Sequence, residues 1–300
     1  MSSSSKTKSR PKISVGLPVY NGEEFLRKRI DSVLDQTFSD FELIISDNAS
    51  TDSTSTICRE YAKKDNRIRY IRQEKNIGMT PNFYFLLQEA KSDYFVWAAV
   101  DDLWHPAFLE KNVSVLESNN EVVGSISKLT LYDESADLFK KEKEFLKRIR
   151  LTYRPYGTYS LSGPYEKKIR TCLKKFPYQL FYGVYRTDEL RKSIIQQYFV
   201  SDTFAVVLNL LKYGDIHEVD EVLLYVYPGG TSSKGIFHAT RLFKEGILGI
   251  IFPHYPLTSW CVKNLGPKIF LKNLDCFIRI NIDAEFLLFI NLIQLIKKSR

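Results

Sequence analysis

Along the first 130 residues, apolar positions recur with two alternating periods. Ile13, Val15 and Leu17 occupy every second position of Lys12–Pro18, the period of a strand. Leu26, Ile30, Val33 and Leu34 then fall at helical spacing, with Asn21 and Glu24 placed as a capping pair at the start. Phe41–Ser46 is a second apolar run, ending at Asp47. The next helical stripe carries Ile57, Cys58, Tyr61 and Ala62, with Ser50 or Asp52 placed to cap it. Ile68–Ile71 reads as a third strand, and a helix follows from Thr80 to about Ala90, with Pro81 suited to its first position. Tyr94–Ala98 is a fourth strand running into Asp101 and Asp102, and His105-Pro106 open one more helix. This strand–helix alternation predicts an α/β protein with a mainly parallel sheet sandwiched by helices.

Beyond Thr130 the pattern changes. Thr130–Leu180 has poor periodicity and is rich in Tyr, Gly and Pro (Tyr153, Pro155, Tyr156, Gly157, Tyr159, Gly163, Pro164, Tyr165), which predicts loops. A helix returns at Thr203–Tyr213, with Phe204, Val207, Leu208 and Leu211 on one stripe and Gly214 as its stop. Val222–Tyr227 reads as a strand leading into the loop Pro228–Ser233. The C-terminal part is mostly helical in pattern. Gly246–Val262 is interrupted by Pro253, His254 and Pro256, and Phe286–Ile296 is too short to span a bilayer. The latter ends in Lys297, Lys298 and Arg300, so it suits either a flat position on an anionic membrane or ordinary docking.

Composition narrows the partners. A net charge of +8 favours anionic ligands. The basic residues are scattered in runs at Lys6–Lys12, Lys140–Arg150, Arg170–Lys175 and Lys297–Arg300, so no single stripe points to nucleic acid. Cys58, Cys172, Cys261 and Cys276 form no C-x-x-C pair, which fits a reducing cytosol without a disulfide framework or zinc site. The first 11 residues are Ser- and Lys-rich with no apolar core, and read as a disordered basic tail, not a secretory signal.

Ligands of open α/β sheets sit beyond the carboxyl ends of the strands. Pro18–Asn21, Asp47–Asp52 and Asp101-Asp102 all follow strand ends, so all three belong on one rim. Asp101-Asp102 suits a hard divalent cation, Mn²⁺ or Mg²⁺, held together with substrate phosphates. An acid pair offsetting the dipole of the helix near His105 is the alternative. Asp47 can accept an N–H from a pyrimidine ring, while the segment around it can equally be an Asx turn and helix cap. Trp97 and Trp104 flank the aspartates, placed either to stack on a sugar or to fill the core. His105, His217, His238 and His254 have no metal-ligand spacing.

Four segments in order resemble family 2 glycosyltransferases. Val15–Gly22 is similar to their P-x-Y-N opening, and Ser32–Phe38 to their S-(I/V)-L-x-Q-T segment. Asp47–Asp52 resembles their D-(D/N)-x-S-x-D element, and Asn76-Ile77-Gly78 with Asn82 their N-x-G-x-x-x-N segment. The resemblance is strong over residues 12–125 and weaker to about 235. It implies a GT-A fold of two halves, 12–128 binding a nucleotide sugar and 129–235 binding the acceptor, with 236–300 as a helical C-terminal extension. By the same resemblance, Pro18, Tyr20, Asn21, Asp47, Asn48, Asn76, Gly78 and Asp101 line the donor, and Asp101 with Asp102 holds the metal. Ala99 stands where the family has the first aspartate of its D-x-D motif, which removes a ribose contact. Ser201-Asp202-Thr203 resembles the element that carries the catalytic base, Asp202; a helix N-cap is its structural alternative.

The implied activity is inverting transfer from a nucleotide-diphosphate sugar, UDP by family frequency, to a glycan or glycolipid hydroxyl. Tyr225 and Tyr227 occupy the positions where relatives carry Arg and His. That departure and Ala99 leave a non-catalytic nucleotide-sugar binder as an alternative. A nucleotidyltransferase or a dinucleotide oxidoreductase would place a Gly-rich phosphate loop after the first strand, where this chain has Pro18-Val19-Tyr20-Asn21.

Overall fold

The structure is a computed structural model that describes residues 10–132, 157–227, 243 and 247–298. The tail before Arg10, the basic run 140–150, Tyr153, Pro155, Tyr156, the loop 228–233 and His238 lie outside them. Strands β1 (Ile13–Val19), β2 (Phe41–Asp47), β3 (Ile68–Arg72) and β4 (Tyr94–Trp97) alternate with helices α1 (Glu23–Leu34), α2 (Thr54–Lys64) and α3 (Met79–Glu89). Then come β5 (Leu103–Trp104), α4 (Phe108–Ser118), β6 (Val122–Leu131), α5 (Tyr165–Lys175) and a 3-10 turn at Tyr178–Tyr182. Strand β7 (Val184–Arg186), α6 (Thr187–Ser193), α7 (Asp202–Leu210) and β8 (Asp215–Val226) complete the sheet region. Among the described residues four helices follow, α8 (Ile247–Ile251), α9 (Tyr255–Leu265), α10 (Pro267–Lys272) and α11 (Leu274–Lys298).

The eight strands form one sheet in the order β3-β2-β1-β4-β7-β6-β8-β5. The β3-β2-β1-β4 block is parallel throughout. Strand β7 then runs antiparallel to both β4 and β6, β8 is parallel to β6, and β5 is antiparallel to β8. The α/β architecture agrees with the sequence pattern, but the sheet is mixed, with its parallel part confined to the first half. All seven residues of β1 are buried, as befits a strand covered on both faces. Trp97 is fully buried and stacks on Phe181 with ring centroids 4.2 Å apart, while Trp104 is 5% exposed and stacks on Phe108. Both tryptophans therefore belong to the core, and neither is available to a sugar.

Local differences from the sequence reading have simple causes. Asn21 and Glu24 do not form a capping pair. Asn21 is left-handed (φ 49°), and its side-chain oxygen instead accepts the Thr51 N–H at 2.8 Å. Gly22 stands at the N-cap of α1 because an added Cβ would lie 2.6 Å from Val19 and 3.2 Å from Val100. Asp52 accepts the Thr54 N–H at the start of α2, whereas the Ser50 hydroxyl turns to the Asn21 N–H. Thr130–Leu180 holds an unforeseen helix, α5, whose Ile169, Cys172 and Leu173 are buried on one side. Its four lysines and one arginine mask that stripe in a simple hydropathy reading. The helix expected at 203–213 runs from Asp202 to Leu210. All four cysteines are free and buried.

Candidate active site

Parallel pairing of β2, β1 and β4 puts their carboxyl ends on one edge, and hydrogen bonds knit the turns that leave them. The Asn48 N–H donates to the Val19 carbonyl at 2.8 Å, and the Asn21 N–H to Ser50 Oγ at 2.9 Å. The Gly22 N–H donates to Thr54 Oγ1 at 2.9 Å. Val100, immediately before the aspartates, packs over Gly22. The turns near positions 20, 47 and 101 thus meet on one rim, with Pro18 buried beneath and Tyr20, 49% exposed, at its edge.

Asp47 is fully buried at the end of β2. One carboxylate oxygen accepts the Ser50 N–H at 2.8 Å; the other accepts Tyr70 Oη at 2.8 Å and Arg72 Nη1 at 2.6 Å. A carboxylate offers about four acceptor positions, so this arrangement leaves room for roughly one more donor. Sequence reasoning did not find Arg72, although β3 pairs in register with β2 and sets Arg72 directly beside Asp47. The Asn48 amide spans the next loop: its nitrogen donates to Asn76 Oδ1 and the Gly78 carbonyl, both at 3.1 Å, and its oxygen accepts the Ile77 N–H at 2.8 Å. Gly78, at φ 95°, turns this loop directly into α3.

Asp101 and Asp102 sit above a buried cation that the sequence did not reveal. The Arg29 guanidinium on α1 is fully buried, lies 4.0 Å over the Trp104 ring, and donates to the Asp102 carbonyl at 3.1 Å. Among the described residues its Nε and second terminal nitrogen have no partner. Burial lowers this guanidinium to about 10, opposed by the charges of Asp102 and Asp101. Burial likewise pushes both aspartates above the usual carboxylate range, and the charge of Asp101 adds to the rise at Asp102. Asp102 is held by the Tyr227 N–H at 3.0 Å, and the Asp101 carbonyl accepts Tyr132 Oη at 2.7 Å. Two adjacent carboxylates that resist ionising together are the donor set a divalent cation would stabilise, and oxygen ligands suit Mn²⁺ or Mg²⁺. No group of three or more His, Cys, Asp or Glu residues is arranged for a metal among the described residues. A cation there would therefore draw its remaining ligands from water and substrate phosphates.

Asp202 opens α7 and is 2% exposed. Its carboxylate accepts the Thr80 hydroxyl at 2.8 Å and the Thr203 N–H at 2.7 Å. Thr80 lies two residues beyond Gly78, so Asp202 is tied to the helix that leaves the Asn76–Gly78 loop. The Tyr84 hydroxyl, one turn further along α3, is buried; burial and the charge of Asp202 raise it well above its ordinary value, so it stays protonated. Among the described residues, four non-glycine positions have positive φ: Asn21, Ala49, Phe176 and Ser201. Asn21 is itself a candidate donor residue, and Ala49 and Ser201 adjoin Asn48 and Asp202, so three of the four fall at the candidate site.

This sheet, with its ligand rim at the strand ends and an acidic helix start beside it, is a GT-A glycosyltransferase fold. It superimposes on the S. aureus TarS structure covering residues 1–349 with a TM-score of 0.56 and 18% identity, over 90% of this chain and 81% of that one. The mannosyltransferase PcManGT of Pyrobaculum calidifontis, solved with GDP-Man and Mn²⁺, gives a TM-score of 0.59 at 14% identity, over 96% and 75%. The model of Glycosyl transferase family 2 matches residues 14–171, just over half of the 300-residue chain, and the protein belongs to that family. Among curated relatives, EpsE of Bacillus subtilis, named as a glycosyltransferase, is 38% identical over 120 residues, 39% of this chain and 43% of EpsE. The uncharacterized glycosyltransferase MJ1057 of Methanocaldococcus jannaschii is 32% identical over 146 residues, 47% of this chain and 50% of its own. The chain thus matches half or less of the length of these relatives.

Proposed function

We propose that this chain transfers a sugar from a nucleotide-diphosphate donor to a hydroxyl of a glycan or glycolipid acceptor, inverting the anomeric configuration. The observation that carries this reading is the meeting of the turns at 20, 47 and 101 on one rim, with Asp202 bonded to the helix leaving the 76–78 loop. Residues 12–128 bind the donor, 129–235 bind the acceptor, and 236–300 are the C-terminal extension, helical over its described part.

Pro18, Tyr20, Asn21 and Asp47 surround the base, with Asp47 offering its remaining acceptor position to a ring N–H. Asn48, Asn76 and Gly78 shape the adjoining loop. UDP is the nucleotide of this reading; TarS, which shares the fold, has been solved with UDP-GlcNAc. Asp101 and Asp102 would hold Mn²⁺ or Mg²⁺, whose charge offsets that of the departing diphosphate. Asp202 takes the proton from the acceptor hydroxyl as that oxygen bonds to the anomeric carbon. The bond from that carbon to the diphosphate oxygen breaks, and its electron pair leaves with the nucleotide. A single displacement from the opposite face inverts the centre.

The protein works in the cytoplasm, at the inner face of an anionic membrane. No helix among the described residues is long and apolar enough to cross a bilayer, but α11 presents exposed apolar residues to solvent.

The test is nucleotide release from a panel of sugar nucleotides with Mn²⁺, comparing wild type with Asp202→Asn. Turnover falls by at least about 10³-fold in the variant, while calorimetry gives the same nucleotide affinity. A variant that keeps wild-type turnover removes Asp202 as the base.

A further inference from the structure

We propose that Thr80 is a positioning residue for the base: its hydroxyl aims the Asp202 carboxylate and couples it to the loop that holds the donor. This rests on the reading of Asp202 as the base.

The geometry is specific. Thr80 is 4% exposed and Asp202 2%, and they lie 122 positions apart in sequence. The Thr80 hydroxyl has one proton, and it points to Oδ2 at 2.8 Å; Oδ1 takes the Thr203 N–H at 2.7 Å. The two oxygens are therefore held from two directions, one from α7 itself and one from α3. Two donors of this kind fix the plane of a carboxylate, and a base must present a lone pair along one line to the proton it receives.

What makes Thr80 more than a tie is where α3 begins. The helix starts at Met79, immediately after Gly78, whose carbonyl accepts the Asn48 amide while its N–H donates to Asn76 Oδ1. Asn48 in turn follows Asp47, the residue that faces the base of the nucleotide in this reading. A short run of covalent and hydrogen bonds therefore leads from Asp47 through Asn48 and Gly78 to Thr80, and across to Asp202. Displacement of the 76–78 loop by donor binding is passed to the carboxylate that receives the acceptor's proton. The hydroxyl is also the right chemistry for the task. It gives a directed hydrogen bond without adding charge, so Asp202 stays able to accept a proton, whereas a lysine or arginine there would hold it permanently ionised.

The experiment compares Thr80→Val, Thr80→Ser and Asp202→Asn under steady-state turnover, with donor affinity by calorimetry and thermal melting as companions. Thr80→Val keeps the shape and loses the donor; kcat falls on the order of 10- to 100-fold, while donor KM and affinity stay within about twofold. Thr80→Ser restores kcat to near wild type, since it returns the hydroxyl to the same place. Where Thr80→Val does not fold, Thr80→Ala takes its place. An inactive Asp202→Asn with a fully active Thr80→Val overturns the positioning role and leaves the base assignment standing. Joint loss of kcat, donor affinity and melting temperature in both Val and Ser variants shows a purely structural tie, and also overturns it. A fully active Asp202→Asn removes the base reading, and the role of Thr80 with it.

Discussion

Asp47 shows how much of this site is decided by single side chains reaching across the chain. Its carboxylate is completely buried and serves the Ser50 N–H, Tyr70 and Arg72 together. Replacing it with alanine leaves three donors without their acceptor, two of them partly open to water, so Asp47→Ala costs about 2 kcal/mol in urea unfolding as well as weakening nucleotide binding. A variant with unchanged stability would show that these three donors are satisfied elsewhere. At this scale the sequence was readable where residues follow one another and opaque where they do not. Asp47 and Asp101 could be singled out because each follows a strand end, and Asp202 because Ser201-Asp202-Thr203 resembles the family's base-bearing element. Arg29, Arg72 and Thr80 could not, because their partners come from strand register or from helices far along the chain. A buried arginine on α1 looks, in sequence, like any exposed cation of an amphipathic helix.

Elements of the first half were legible because apolar periodicity and burial coincide there. Strand β1 is expected at Lys12–Pro18 and found at Ile13–Val19, and β3 is expected at Ile68–Ile71 and found at Ile68–Arg72. Helix α5 was not, because its buried side is only a few residues wide within a cationic segment. Even so, α5 fixes the C-terminal extension. Arg170 donates through both terminal nitrogens to the two oxygens of Asp275, at 2.9 Å each, joining α5 to the first turn of α11. The guanidinium hydrogen bonds hold this carboxyl down at about 2. A lowered acid stabilises the docked helix fully above its unfolded value near 4, and that contribution fades as pH falls from about 4 to about 2. The pair is solvent-exposed, so the effect is local and weakens in salt. Hydrogen exchange should show amides of the first turn of α11 losing protection through that window. In Arg170→Gln the pH step should be absent; a step that persists assigns it to other carboxylates.

Across the whole molecule, the α/β layering followed from the order of the elements, but the antiparallel insertion of β7 and the return of β8 beside β6 did not. Those pairings join segments far apart in the chain, such as β4 with β7 and β6 with β8. The outer surface of the extension carries the clearest exposed apolar feature. Leu271, Leu274, Ile278, Ile282, Phe286 and Phe289 are all solvent-exposed, and from 274 onward they fall on one side of α11. Lys263 and Lys268 on the two preceding helices are also exposed, and such an apolar side suits shallow contact with an anionic bilayer surface. The double substitution Ile278→Glu with Ile282→Glu should strip the protein from sedimenting anionic vesicles while leaving nucleotide release in solution unchanged. Equal sedimentation of wild type and variant would rule out this surface as the contact.

The opposite side of the same helix has a different consequence. Ala284 and Leu288 close over Val200, whose next neighbours are the strained Ser201 and then Asp202. Helix α11 thus packs behind the turn that carries Ser201 and Asp202. Under the proposed role of Asp202, removing α11 would loosen the turn that presents it, so a trimmed variant that binds nucleotide well and turns over poorly would report a lost brace, with the reacting groups themselves retained.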